Sequence, residues 1–149
     1  MAERLNRRVV VERAAALVDG IGLEELTITK LGRELGIAPP GVYRHVADLD
    51  DLRGAIGQHA AREVAEVLVA ACAGLSGAQA LHALATSLRE WALAHPGRYA
   101  ALQIAPEPDD AAGQAAATEV LTVIGAALRA YELAGDDLTD GIRLIRSTL

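Results

Sequence analysis

Tyr43, Arg44 and His45 stand side by side near the end of a segment, Thr27 to Val46, that reads T-I-T-K-L-G-R-E-L-G-I-A-P-P-G-V-Y-R-H-V. A phenol, a guanidinium and an imidazole in a row supply the hydrogen-bond donors that suit phosphate oxygens and base edges. Arg44 is open to two uses: a bidentate reading of guanine O6 and N7, or the holding of a phosphate. Just upstream, Ala38, Pro39, Pro40 and Gly41 are small or compact, so a backbone there can come close to a base edge. Thr27 has the position and hydroxyl of a helix N-cap, accepting from the amide of Thr29 or Lys30. The chemistry these residues can do is recognition of nucleic acid.

Catalytic arrangements are missing from the sequence. Gly20-Ile21-Gly22 lacks the third glycine and the preceding strand of a dinucleotide fingerprint, and neither a P-loop nor a G-x-S-x-G elbow is present. The adjacent carboxylates Glu24-Glu25 and Asp109-Asp110 sit in loops or helix starts, without the burial that would tune a pKa. The histidines, His45, His59, His82 and His95, have no metal-ligand spacing, and the one cysteine, Cys72, reads as a small core residue. No enzyme activity, metal or cofactor is therefore expected. A second set of residues could line a small-molecule site: Trp91, Tyr99, Leu102, Val120, Val123 and Ile124. Trp91 and Tyr99 have an alternative use as plain core.

The elements that must position these residues are all helical, and the expected fold class is all-α. A first helix is expected from about Glu3 to Asp19, with Leu5, Val9, Ala16 and Leu17 inward and Gly20 to Gly22 as its stop. A second follows Thr27, with Ile28, Leu31 and Leu35 on one side. Gly36 ends it as a left-handed residue and Ile37 folds back. Pro39 and Pro40 open a third from about Pro39 to Val46, since a first helical turn needs no amide donors. Val42 and Val46 turn inward and leave Tyr43, Arg44 and His45 outside. Two short helices joined by Gly36-Ile37-Ala38 make a helix-turn-helix. Asp48 caps a long fourth helix, striped by Leu49, Leu52, Ile56, Ala60, Val64, Val67 and Ala71, which Gly74 ends. Ser76 starts a fifth with Leu81, Leu84, Leu88, Trp91 and Ala92, broken by Pro96. A short sixth covers about Gly97 to Ile104, and a seventh runs from about Ala111 to Ala134. An eighth begins near Asp136 with the stripe Leu138, Ile142, Ile145 and Leu149.

Composition supports this layout. Of 149 residues, 52% are hydrophobic and only 3% aromatic, with no Phe, so the core must be aliphatic and alanine-rich. The net charge is −6, unevenly spread: residues 1–60 hold 8 basic and 9 acidic side chains, residues 61–149 hold 6 and 11. A less acidic head on an acidic body suits presentation of one end to DNA, although ordinary scatter of charge fits as well. Arg4, Arg7 and Arg8 crowd the first helix, either to touch the DNA backbone or as a solvated helix end. No apolar run free of charges or helix breakers reaches 18 residues and the N-terminus has no signal-like segment. A cytoplasmic protein without a membrane span is expected.

The segment resembles the DNA-binding head of TetR-family transcriptional regulators: a Thr-capped helix with Leu31-Gly32, then Leu35-Gly36-Ile37, then Val42-Tyr43-Arg44-His45-Val46. The likeness covers residues 5 to about 60. Trp91, His95-Pro96-Gly97 and Tyr99 are more loosely similar to the helical effector domain of one subgroup. The resemblance implies a head, 1–47, that binds operator DNA, and a body, 48–149, that binds a small apolar or amphipathic effector and forms a homodimer. It implies phosphate contacts for Thr27, Tyr43 and His45, and base-edge positions for Pro40 and Gly41. The implied activity is that of a repressor. Effector binding shifts the fourth helix and breaks the spacing of two heads about 34–36 Å apart. Where the family often has a lysine at the start of the fourth helix, this chain has Leu49 amid Asp48, Asp50 and Asp51. That acidic cluster is expected to repel phosphate. It supports an alternative, a helical interaction or scaffold protein whose helix-turn-helix no longer binds DNA. The eighth helix carries its apolar stripe to Leu149 with no stop signal, so the chain is expected to be a fragment that lacks one or two helices of the dimerisation element.

Overall fold

A computed structural model describes residues 4–129 and, past them, Asp136, Asp137, Thr139, Asp140, Gly141 and Arg143. The expected inward stripe of the eighth helix, Leu138, Ile142, Ile145 and Leu149, lies outside the described residues, as does the seventh helix past Arg129. Among the described residues no strand occurs. The described residues form α1 (Arg7–Ile21), α2 (Ile28–Leu35), α3 (Pro39–Val42), α4 (Leu49–Cys72), α5 (Gly77–Ala94), α6 (Pro96–Leu102) and α7 (Ala111–Leu128).

Local chemistry explains where these helices start and stop, including where they depart from expectation. α1 begins at Arg7 rather than Glu3, because extended Asn6 (φ −143°, ψ 174°) caps it by accepting from the Val9 amide at 3.0 Å. It runs on through Gly20 and turns only at Gly22 (φ 87°), whose amide reaches the Val18 carbonyl at 2.8 Å. Ala16 is exposed; the buried face is Val10, Ala14, Ala15 and Val18 with Val9 and Val11. Thr27 caps α2 by accepting from Lys30 at 3.1 Å. Gly36 closes α2 in the left-handed region (φ 69°), and the Ile37 amide bonds back to Gly32 at 2.9 Å, as a Schellman-type ending requires. Gly32 has to be glycine: a Cβ there would lie 2.7 Å from the Ile37 carbonyl.

α3 is four residues long, ending at Val42 instead of Val46. The Tyr43 amide still bonds to Pro39, but the His45 and Val46 amides both go to the Val42 carbonyl, so the ladder tightens and stops. Val42 and Val46 are buried and Tyr43 and Arg44 exposed, as expected, whereas His45 is half-buried. α4 ends at Cys72. Its buried row is Leu52, Ile56, Ala60, Val64 and Leu68, all four apart, which leaves Val67 off the row and 36% exposed. α6 starts at Pro96 and stops at Leu102, earlier than Ile104, which is half exposed.

Two aliphatic cores result. The first gathers Val10, Val18, Leu26, Leu31, Val42, Leu52 and Ile56, and takes in Ala101 from α6. The second joins Ala60, Val64 and Leu68 of α4 to Leu84, Leu88 and Trp91 of α5 and to Ile124, Ala127 and Leu128 of α7. α4 is thus a wall common to both. α7 has a mean hydropathy of 1.3 over its 18 residues, long and apolar enough by that measure to cross a membrane, yet it carries Glu119 and packs its Ile124–Leu128 end against α4 and α5.

α6 is wedged between α1 and α4 with a glycine at each contact. A Cβ on Gly97 would run into the Val18 carbonyl, and one on Gly57 would come within 2.9 Å of the Ala101 carbonyl. Replacing Gly97 by Ala must push backbone apart. We expect Gly97→Ala to destabilise the protein by about 1–3 kcal/mol, measured as a lower urea midpoint with an unchanged slope, whereas Gly54→Ala, whose Cβ would meet nothing within 4 Å, should leave the midpoint unchanged or raise it.

Candidate nucleic-acid interface

The helix-turn-helix presents one polar ridge. Thr27 at the start of α2, and Pro40, Tyr43 and Arg44 on and after α3, are exposed, with Tyr43 at 53%. Pro39, Gly41 and His45 are half-buried beside them. Gly41 packs a backbone edge against Ile37, where a Cβ would come within 3.1 Å of the Ile37 side chain. All seven residues expected to meet DNA therefore lie in the two short helices and the turn that follows, above the buried Val42 and Val46.

A knot of polar contacts fixes the end of this ridge. Arg7 reaches from α1 to Asp51 in a two-pronged pair at 2.7 and 2.9 Å, and also donates to the His45 carbonyl at 2.8 Å. The same Asp51 accepts from the Ala47 amide at 2.8 Å, and Asp48 caps α4 by accepting from the Asp51 amide at 2.8 Å. One carboxylate of the acidic cluster, Asp51, is thereby paired with a guanidinium. Asp48 accepts from one amide, is exposed and keeps its charge, and Asp50 lies 3.6 Å from Arg53 with 92% of its side chain exposed. The hydrogen bond from Arg7 holds the Asp51 carboxyl below its ordinary range, and the same bond raises Arg7. Of the three clustered arginines, Arg7 is thus a strut and Arg8 pairs with Glu12 at 2.6 Å, while Arg4 is exposed.

A second joint ties α1 to the body. Asp19, with 14% of its side chain exposed, accepts from the Arg98 amide at 3.0 Å and lies 3.2 Å from His95 Nδ1. Arg98 Nε lies 2.8 Å from the same carboxylate, an ion-pair contact off the hydrogen-bond line, while its other end grips both oxygens of Glu63 on α4 at 2.8 and 3.0 Å. Arg7 and Asp51 drew notice in the sequence only as members of charge clusters, and Asp19, Arg98 and Glu63 did not stand out; the pairing of all five was not visible. Their partners lie 35 to 79 residues away, and no local spacing marks such pairs.

The body contains an open cleft of about 550 Å³, its mouth included, lined by Leu88, Tyr99, Leu102, Gln103, Ala117, Val120, Leu121 and Ile124. Four of the expected residues line it: Tyr99, Leu102, Val120 and Ile124. Trp91 and Val123 do not. Trp91 is packed into the second core at 7% exposure, its ring 5.3 Å from that of His95, and Val123 lies against that core.

Comparison with known proteins places this geometry. The family model for the tetracyclin repressor-like C-terminal domain matches residues 81–149. The uncharacterized HTH-type transcriptional regulator Rv0681 of Mycobacterium tuberculosis is 34% identical over 138 residues, 89% of this chain and 62% of its own. Residues 81–149 thus match the C-terminal domain of tetracyclin repressor-like regulators, and the chain as a whole is similar to an HTH-type regulator. A BioQ solved with its double-stranded DNA operator superposes with a TM-score of 0.67 at 25% identity, covering 97% of this chain and 82% of that one. A protein of unknown function from Rhodococcus sp. RHA1 shares the fold, with a TM-score of 0.72 at 21% identity over 91% of this chain and 74% of that one. The chain spans 62% of the length of Rv0681.

The Arg7–Asp51 pair gives a pH signature. Asp51 has a folded pKa below its unfolded value of about 3.9, so the pair's contribution is present above that value and is lost as pH falls through the lower folded pKa. Both side chains are partly exposed, at 49% and 30%. We expect Asp51→Asn to lower stability at pH 7 by no more than about 1 kcal/mol, with the gap to wild type closing below pH 4 in urea titrations.

Proposed function

We propose that the protein is a ligand-responsive transcriptional regulator that binds operator DNA through the helix-turn-helix, working as a homodimeric repressor in the cytoplasm rather than as an enzyme. The observation that carries this is the exposed ridge of Thr27, Pro40, Tyr43 and Arg44 set on the buried pair Val42 and Val46. Nothing in the first core uses Tyr43 or Arg44, so their exposure suits an external partner, and their donors suit DNA. BioQ, with a similar fold, has been solved with its operator, which supports a DNA partner for this chain.

In this reading residues 1–47 act as the head and 48–149 as the body, with the first half of α4 completing the head's core. Tyr43, His45 and Thr27 hold phosphates, Pro39, Pro40 and Gly41 lie along base edges, and Arg44 either reads guanine or holds a phosphate. The cleft takes a small apolar or amphipathic effector against Tyr99, Leu102, Val120 and Ile124. α6 carries the signal, since Tyr99 and Leu102 line the cleft while Gly97 and Arg98 on the same helix touch α1. The rival reading, a scaffold whose helix-turn-helix has lost DNA, rested on the acidic cluster, and the Arg7–Asp51 pair offsets one of its three carboxylates.

Gel shifts against the DNA upstream of the protein's own gene test this. We expect Arg44→Ala to cost about 1–3 kcal/mol and relax specificity at one position if it reads a base, and Tyr43→Phe to weaken binding to all sequences alike. If both variants bind as wild type does, with an unchanged salt slope, the ridge does not face DNA.

A further inference from the structure

The cleft does not end at its apolar lining. A second recess of about 720 Å³, its open mouth included, adjoins it between α4 and the stretch leading into α7, and Leu102, Gln103 and Ala117 border both. Taken together through these shared residues as one elongated channel, the two recesses have unlike ends. At the α5 end stand Leu88, Val120, Leu121 and Ile124. At the far end stand Gln58 of α4 and Asp110, the residue that caps α7.

Among the residues lining the two recesses, Asp110 carries the only formal charge. The carboxylate is firmly placed. Gln58 Nε2 donates to its two oxygens at 2.9 and 3.1 Å, and the Gly113 amide donates to Oδ1 at 2.9 Å. Residue 113 has no side chain to displace it, since a Cβ there would collide with that carboxylate and come within 2.7 Å of Pro106. A carboxylate offers about four lone-pair sites, and these contacts occupy three, two on Oδ1 and one on Oδ2. Gln58 spends its amide donors on Asp110, which leaves its amide oxygen as a further acceptor. This end of the channel therefore offers acceptors and a negative charge, and no cationic side chain.

We propose that the effector is an elongated amphipathic molecule with a cationic, hydrogen-bond-donating head, such as a protonated amine, seated at Asp110 and Gln58, and an apolar tail lying along Leu102, Val120 and Ile124. Carboxylate-headed ligands of the same length are disfavoured, because they would set like charges together with no cation to bridge them. This rests on the effector-site reading above and adds the charge of the ligand to it.

Isothermal titration of the whole chain at physiological salt, with dodecylamine, dodecanol and dodecanoate each below its micelle concentration, tests the proposal. Wild type should bind the amine on the order of tenfold or more tightly than the carboxylate, the scale of a hydrogen bond to a charged group. Asp110→Asn should erase that preference while dodecanol binding stays the same; Asn remains a good N-cap, so α7 keeps its start. Gln58→Leu, which leaves the cap intact, should weaken the amine and spare dodecanol. Val120→Trp, which fills the apolar end, should abolish binding of all three. Equal affinity for amine and carboxylate, or a preference that survives Asp110→Asn, overturns the charge selection while the effector site stands. Failure of every probe to bind, or binding indifferent to Val120→Trp, overturns the effector site and this proposal with it.

Discussion

α1 and α6 meet backbone to backbone, the Val18 carbonyl resting where Gly97 has no side chain. The rest of the arrangement hangs on that closeness. It lets the Arg98 amide reach Asp19 and brings His95 to the same carboxylate. It also lets Ala101, one turn further along α6, sink into the head's core at 1% exposure while its carbonyl lies against Gly57 of α4. A methyl group at residue 97 would pry at all of these together, since interiors are packed too tightly to absorb the displacement locally. The head is thus continuous with the body through a short rigid bar, α6, as well as through α4.

The two joints divide the labour. Around the Arg7–Asp51 pair, charges are partly exposed and the gain is geometric: four groups from α1, the post-α3 turn and α4 are held in one place, which sets the pitch of the exposed ridge. Around Asp19 and Arg98 the charges are more buried, and leaving any one of them unpartnered there would be costly. A displacement of α6 therefore has to carry α1 along or break charged contacts. That is the property a two-state element needs if one end of it touches a small-molecule cleft and the other touches a DNA-facing head.

Much of this was legible in the sequence where the cause is local. Thr27, Gly36 and Asp48 were read as caps and stops because a cap needs only its own side chain or its own φ, and each acts as expected. The helix-turn-helix and the all-helical class followed from spacing. What sequence missed is non-local. The turn after α3 is held by Arg7, 38 residues away, which donates to the His45 carbonyl, and Arg98 bridges Asp19 and Glu63 from 79 and 35 residues off. Trp91 drew notice as a rare aromatic, yet it is packed in the core and the cleft opens one helical turn earlier, at Leu88. The Gln58–Asp110 end of the channel, 52 residues apart, has no signature at all until the fold closes it.

Two adjacent prolines begin α3, and that has a thermodynamic meaning beyond their size. Each locks its own φ in the free chain near the helical value. At these two of the helix's four residues little backbone φ disorder is left to surrender when it docks. A reading element that is already stiff cannot mould itself to its partner. The adjustment then falls to the other surface, and a duplex bends and twists at a cost set by its own sequence. If α3 meets DNA as proposed, so short an element with two locked residues would discriminate among duplexes by how easily they deform, at base pairs its side chains never touch.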